Sequence, residues 1–182
     1  TLGALFAVRD ELATGAQGKL DAVARDLVER FSASGLDPTL LPGQPGLVTD
    51  AGAAFDPLNE VGLAGRLRLN ALADPDQGGA LFRLRDGLQA ATEGPPGNAL
   101  LLTALQQALT RPQALSSTGF TPGSRSFATL AGDLLSDASS RRLSSEAEQS
   151  FTAAKLTALT DFEAQNGIDT DQEMQALLVI EK

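Results

Sequence analysis

The sequence predicts a mainly α protein in which two long helices pack antiparallel into an elongated rod, with a small β/α insertion between them. Hydrophobic residues make up 42% of the chain and aromatic residues only 4%, all of them Phe. This composition, built mainly on Ala and Leu, favours close-packed helices over a β-sandwich. Apolar residues also recur at three- and four-residue spacing near both ends, whereas Pro and Gly accumulate between them. We therefore expect a discontinuous rod domain, 1–35 and 121–182, and an inserted region of β-ribbon and short helices, 36–120.

The first long helix is predicted over residues 3–33. Its apolar residues step by threes and fours along one face: Leu5, Val8, Leu12, Ala16, Leu20, Val23, Leu27 and Phe31. Gly15 and Gly18 interrupt this pattern and indicate a bend or a close helix contact. The stripe can serve as a partner-helix surface or as an intramolecular seam, and we favour a seam against residues 124–162.

The inserted region is predicted to contain a β-hairpin and two helices. The strand candidates are 46–49 and 63–70, the second with a period-two pattern that places Arg66 and Arg68 on one face. These arginines can meet an acidic neighbouring subunit or keep a strand edge soluble, and we favour the second role. Asp74-Pro75 predicts the start of a helix that extends to about residue 91, and Asn98 predicts the cap of another helix over 99–110. Residues 113–123 are expected to form a loop.

The second long helix is predicted over residues 124–165, where Gly132 is the only helix-breaking residue. At 1.5 Å per residue such a helix is roughly 60 Å long. Its middle, 136–150, is almost wholly polar, whereas apolar residues return at Phe151 and Phe162. A long helix with a solvated middle is typical of a rod and unusual in a core.

The C-terminal segment stops one helix and restarts another. Asn166-Gly167 favours the left-handed backbone that ends a helix, and Thr170 stands three residues before Glu173, the spacing of a capping box. Met174, Leu177 and Leu178 then begin a new apolar stripe that the helix cannot cover by itself. We expect this stripe to be an interaction surface and the chain to be part of a larger protein.

The carboxylates of Asp169, Asp171 and Glu173 also have the alternate spacing of a calcium loop. However, Met174 stands at the sixth position, where that loop needs Gly, and Ile180 at the twelfth, where it needs Glu. We therefore interpret these residues as an acidic first turn that interacts favourably with the helix dipole. Glu146 and Glu148, beside the arginines at 141 and 142, are interpreted in the same way as solvated pairs on a helix surface.

Composition argues against most other function classes. The chain has no His and no Cys, so the common catalytic triads and the usual zinc sites lack their residues. No Gly-rich phosphate loop is present, and a net charge of −9 disfavours nucleic acid as a partner. No apolar run is long enough to span a bilayer. We expect no enzyme activity, no cofactor and no metal.

Three segments resemble flagellar axial proteins, and most of all the hook-associated protein 1 family. The N-terminal "LGALFAVRDEL" at 2–12 and "LDAVARDLVERF" at 20–31 are similar to the family's conserved helix, and "NGIDTDQEM" at 166–174 is similar to its C-terminal signature. The "GRLRLN" segment at 65–70 matches more loosely. The resemblance implies a C-terminal-half fragment of such a protein.

The resemblance also implies a function, a location and partners. The protein would be a structural component of the bacterial flagellum that joins hook to filament, with Asn166, Gly167, Asp169, Asp171, Glu173, Met174, Leu177 and Leu178 as its assembly motif. It would assemble with copies of itself, with the hook protein and with the filament-side junction protein, and an export chaperone would bind beyond residue 182. It would be extracellular, exported without a cleaved signal peptide. The alternatives are another axial protein (flagellin, the filament-side junction protein or the hook protein) and a helical binding module unrelated to flagella.

Overall fold

The computed structural model describes residues 2–166 and 170–180 and is mainly helical, with 58% helix and 7% strand. The chain forms two compact units, Thr1–Leu135 and Ser136–Lys182. Residues 1–35 and 36–120 therefore belong to the same unit. The assignment of 36–120 as an insertion into a rod domain stays a prediction.

The N-terminal helix predicted over 3–33 is present and contains one irregular turn. It comprises α1 (Leu2–Ala7), a π-helical turn (Val8–Leu12) and α2 (Ala13–Phe31). The two glycines predicted to mark a bend or a close contact lie within α2, and a Cβ atom at either would meet nothing within 4 Å. The irregularity lies instead in the turn before them.

The burial of α2 does not follow the predicted stripe. Leu12 and Leu20 are exposed, whereas the buried residues are Asp21, Ala22, Ala24, Asp26, Val28 and Arg30. From residue 21 onward the helix contacts the short helix α3 (Leu63–Arg66), the strand β1 (Val48–Asp50) and the helix α5 (Leu100–Thr110). Because neighbours surround this half, its burial no longer has a helical period.

The predicted hairpin is present but shorter than expected. Strand β1 pairs antiparallel with β2 (Leu67–Leu69), and Thr49 lies opposite Arg68. The assignment of 63–70 as one strand is wrong, because Leu63–Arg66 form α3. Arg66 and Arg68 therefore do not project from the same strand.

The helix predicted over 75–91 is also wrong. Asp74 does accept a hydrogen bond from the backbone N–H of Asp76, but only a 3-10 helix follows, Pro75–Gln77. Gly78 takes a φ of +82° and ends it. Gly79 then passes so close to the carbonyl of Ala71 that a Cβ atom would lie 2.2 Å from its oxygen. The only other helix here is the single turn α4 (Arg83–Asp86).

The remaining elements agree with the sequence-based prediction. Helix α5 begins where the side chain of Asn98 accepts a hydrogen bond from the backbone N–H of Leu100. The loop before the last long helix carries two short paired strands, β3 (Gln113–Ala114) and β4 (Ser124–Arg125). Helix α6 (Phe127–Asn166) starts at Ser126, whose hydroxyl accepts from the N–H of Thr129. Helix α7 is Thr170–Ile180.

The apolar core lies in the first unit and is small. Its fully buried hydrophobic residues come from α2, α3, α5 and the first turn of α6, together with two loops: Ala22, Ala24, Val28, Leu63, Ala73, Leu88, Leu101, Ala108 and Leu130. Four of these nine are Ala. Since small side chains bury little apolar surface, buried polar contacts must hold much of this unit together.

Candidate assembly surfaces

A buried arginine joins the C-terminal end of α2 to three other segments. The side chain of Arg30 is 1% exposed, and its Nε donates to Asp26 at 2.6 Å. Its Nη1 donates to the carbonyls of Ala108 and Arg111, and its Nη2 to that of Arg125, at 2.6–2.7 Å. The first two acceptors lie at the end of α5, where helical carbonyls lack internal partners. Arg30 therefore fastens α5 and β4 to α2.

Buried carboxylates hold the loops of the same unit. Asp21 accepts the backbone N–H groups of Gly62 and Ala64 at 2.7 and 2.8 Å and so caps α3. Asp37 accepts from the backbone of Thr39 and of Leu88. In each case a charged acceptor on one segment satisfies donors on another, which is a stronger contact than a neutral hydrogen bond.

Asp86 gathers a third set of donors. Its carboxylate accepts from the guanidinium of Arg85, from the backbone N–H of Gly94 and from the side chain of Asn98. The Arg85 contact is the largest cause, followed by the Gly94 N–H, and together they lower the pKa of Asp86 to about 2. Asp86 therefore fastens the 93–98 loop to α4.

The arginines singled out from the sequence also make contacts within the chain. Arg66 binds Asp50 through two hydrogen bonds of 2.7 and 3.0 Å, which lower the pKa of that carboxyl. It also donates to the carbonyl of Val61. Arg68 donates to the carbonyl of Leu67 at 2.7 Å. The guanidinium of Arg66 thus closes the 51–65 loop and is not held out toward a neighbouring subunit.

A cavity of about 250 Å³ lies beside the Arg30 cluster, lined by Arg30, Ala33, Leu36, Gln107 and Arg111. Four of the five N–H groups of Arg30 are already donated to oxygens of this unit. The cluster therefore acts as a fastening and offers no reactive group to the cavity. Within 2–166 and 170–180, no group of three or more acidic, His or Cys residues has the arrangement of a metal site.

The described helices include none that is both long and apolar enough to cross a membrane. The exposed apolar residues of α6 and α7 must therefore be considered as contact surfaces of another kind.

The C-terminal stripe predicted from the sequence is exposed on α7. Met174, Leu177 and Leu178 are 61%, 66% and 63% exposed, and Val179 and Ile180 widen the same apolar surface. Of the other predicted motif residues, Asn166 ends α6, whereas Asp171 and Glu173 lie in the first turn of α7. Gly167 and Asp169 lie outside the described residues, so the predicted stop at Asn166-Gly167 and the role of Asp169 stay predictions.

A second exposed apolar surface lies at the N-terminal end. Its members belong to α1 and the π-helical turn, and all are at least two-fifths exposed: Leu2, Leu5, Phe6, Val8 and Leu12. They form the first half of the stripe that was predicted to be an intramolecular seam.

The third surface lies on the C-terminal half of α6, where Phe151, Leu156, Leu159 and Phe162 are all more than half exposed. The preceding polar stretch carries pairs four residues apart, Arg141 with Asp137 and Arg142 with Glu146. The interpretation of Glu146 as a solvated helix-surface pair is confirmed.

Sequence reasoning missed the Arg30 cluster. The only local signal was Asp26, which stands four residues before Arg30 on the same helix. The carbonyl acceptors give no signal in the sequence, because every residue carries one. Comparison of the chain with family models, with curated proteins and with solved structures finds no match.

Proposed function

We propose that this chain is part of a flagellar axial protein of the hook-associated protein 1 type, a structural component that joins hook to filament. One observation carries the proposal. The segments that resemble the family, 2–12 and 166–174, lie in or next to the helices whose apolar side chains are exposed, from Leu2 to Leu12 and from Met174 to Ile180. Residues that a subunit leaves exposed on long helices are the ones that an assembly can bury.

The mechanism in this proposal is packing. The long helices pair antiparallel as a rod, the arrangement predicted for 3–33 and 124–165, and the exposed stripes of α1, α6 and α7 are buried between neighbouring subunits. The polar contacts of Arg30, Asp21 and Asp37 keep the loops of the first unit in one shape while the helices assemble. No catalytic step, cofactor or metal is required.

The partners in this proposal are copies of the chain, the hook protein and the filament-side junction protein, with an export chaperone before assembly. The location is extracellular, on the flagellum, reached without a cleaved signal peptide. The net charge of −9 suits a subunit that must stay soluble until it reaches the growing end.

The proposal is tested by deleting the gene in the organism that encodes it and by imaging the cells in the electron microscope. A junction protein is needed for a filament to attach, so the deletion strain should keep its hooks, lack filaments and lose motility. A plasmid copy of the gene should restore the filaments. Normal filaments in the deletion strain would overturn the proposal.

Gold-labelled antibody against the chain separates the alternatives. Label confined to the hook–filament junction supports hook-associated protein 1. Label along the filament would indicate flagellin, and label along the hook would indicate the hook protein. Label that is absent from the flagellum would indicate a binding module of another kind.

A further inference from the structure

We infer that two copies of this chain pair antiparallel along α6, through a seam centred between Phe151 and Ala154. The inference goes beyond the flagellar proposal and does not depend on it. It names the occupant of the exposed α6 surface in the free protein: a second copy of the same helix, which would have to separate before assembly into a tube.

The seam has the spacing of a coiled coil. Small and apolar residues recur at alternating steps of three and four along one face of α6, at Ser144, Ala147, Phe151, Ala154 and Ala158. These are a and d positions of a heptad. All five side chains are exposed, and Phe151 is 71% exposed. A large aromatic ring left in water at the centre of such a seam gains apolar contact when a second helix covers it.

The side-chain sizes favour one register. In an antiparallel pair each a residue lies level with a d residue of the other helix. If Phe151 of one copy lies against Ala154 of the other, Ala147 lies against Ala158 in the neighbouring layers. The ring then faces a small side chain on each side of the two-fold axis, and large against small is how facing layers interdigitate without a void.

The charges beside the seam agree with the same register. Glu148 and Lys155 occupy equivalent e positions, and an antiparallel pair places e residues opposite each other. With Phe151 against Ala154, Glu148 of one copy lies opposite Lys155 of the other, and the two-fold axis repeats this pair. The ion pairs in the preceding stretch are made by other residues, Arg141 with Asp137 and Arg142 with Glu146.

A parallel pair would lack this complementarity. It would place the e residues beside g residues of the other helix, and the g positions hold Leu143, Ser150 and Thr157, none of which is charged. Charge therefore distinguishes the two orientations. With one aromatic residue per copy in the seam, the dimer should be weak, with a dissociation constant on the order of micromolar.

Cysteine cross-linking tests the orientation directly, because the chain has no Cys. In an Ala147→Cys/Ala158→Cys variant, the two thiols of one helix lie roughly 16 Å apart. Since a disulfide needs Cα atoms within about 7 Å, they can link only to another copy. Mild oxidation should give a covalent dimer in which peptide mapping finds residue 147 joined to residue 158.

The matched control is Ser145→Cys/Thr160→Cys, which puts thiols at the same levels on the outer face of α6. It should give much less covalent dimer. Links of 147 to 147 and 158 to 158 would indicate parallel pairing and overturn the inference. Equal cross-linking of the two variants would also overturn it, as would links from residue 147 or 158 to the N-terminal surface when that surface carries a reporter cysteine.

Charge exchange tests the register in solution. Glu148→Lys and Lys155→Glu should each raise the dimer dissociation constant about tenfold, because each puts like charges together at two symmetric places. The double exchange should restore the dissociation constant to within about twofold of the parent. Sedimentation equilibrium measures all four proteins, with circular dichroism as a check of helix content. A double variant weaker than either single one, or a parent that stays monomeric at millimolar concentration, would overturn the inference. Failure here leaves the gene-deletion test unaffected.

Discussion

At the scale of single residues, Arg30 makes the contacts that span the most of the chain. Its hydrogen bonds reach carbonyls that lie 78, 81 and 95 residues further along. Within the described residues, the second carboxylate oxygen of Asp26 is buried without a hydrogen-bond partner. The charge of Asp26 therefore depends on Arg30 alone.

Replacing Arg30 should strongly destabilise the first unit. Arg30→Ala leaves a buried carboxylate without its partner, and breaking such a pair costs about 3–5 kcal/mol. Arg142→Ala is the matched control, because Arg142 makes an exposed pair with Glu146 and its loss should cost less than about 1 kcal/mol. Urea unfolding followed by circular dichroism measures both. Equal losses for the two variants would contradict a central role for Arg30.

Asp86 should make the stability of the first unit sensitive to acid. Its pKa is about 2 in the folded protein against 3.8 for an unperturbed Asp. Because folding lowers this pKa, the contribution is fully present above about pH 4 and is lost as the pH falls toward 2. NMR titration of the side-chain carboxyl measures the pKa.

Arg85→Gln removes the largest cause of that shift and should raise the pKa of Asp86 toward 3.8. The Gly94 N–H should keep part of the shift in place. Arg142→Gln, far along the sequence on α6, should leave the Asp86 titration as it was. An Asp86 pKa that is the same in the Arg85 variant and the parent would show that the guanidinium is not its cause.

At the scale of elements, α6 changes character along its length. Leu130, in its first turns, is fully buried, and Asp133 pairs with Arg125 at 2.9 Å. From Ser136 onward the helix belongs to the second unit and carries exposed apolar residues such as Leu156. A single helix thus begins in a core and continues as a surface.

Truncation of leucines along α6 should reveal this change. Leu130→Ala should cost about 2–5 kcal/mol, because it leaves a cavity in a small core. Leu156→Ala, an identical substitution at an exposed site, should change the free energy of unfolding by less than about 0.5 kcal/mol. Thermal or urea unfolding compares them. A large loss at Leu156 would mean that a partner already covers this side chain.

At the scale of the whole molecule, stability should be concentrated in the first unit. Helix α2 is buried over residues 21–30 among several neighbours, whereas the described apolar side chains of α7 are all exposed. Helices of about a dozen residues without tertiary contacts are marginal in water.

Amide hydrogen exchange of the dilute chain should therefore rank the helices. Backbone amides of residues 22–30 should exchange only through unfolding of the first unit, and those of 173–180 through local opening at much lower free energy. Raising the concentration should slow exchange over 147–158 if α6 pairs with itself. Protection over 173–180 equal to that over 22–30 would contradict the view of α7 as an uncovered contact surface.

Local sequence determined the main helices of this protein. The helical runs over 2–31, 100–110 and 127–166 follow from apolar spacing, from few helix breakers and from capping by Asn98 and Ser126, all of which act within about four residues. The exposed stripe at Met174, Leu177 and Leu178 was also predictable, since no nearby segment complements it.

Only the tertiary structure decided the short elements and the burial of α2. Residues 63–66 became helical because Asp21, more than 40 residues earlier, accepts the N–H groups of Gly62 and Ala64. Arg30 became the centre of the first unit because backbone carbonyls from three distant segments converge on it. Such contacts leave no periodic trace in the sequence: a carbonyl is present at every position, and only the path of the folded chain selects which ones meet a buried charge.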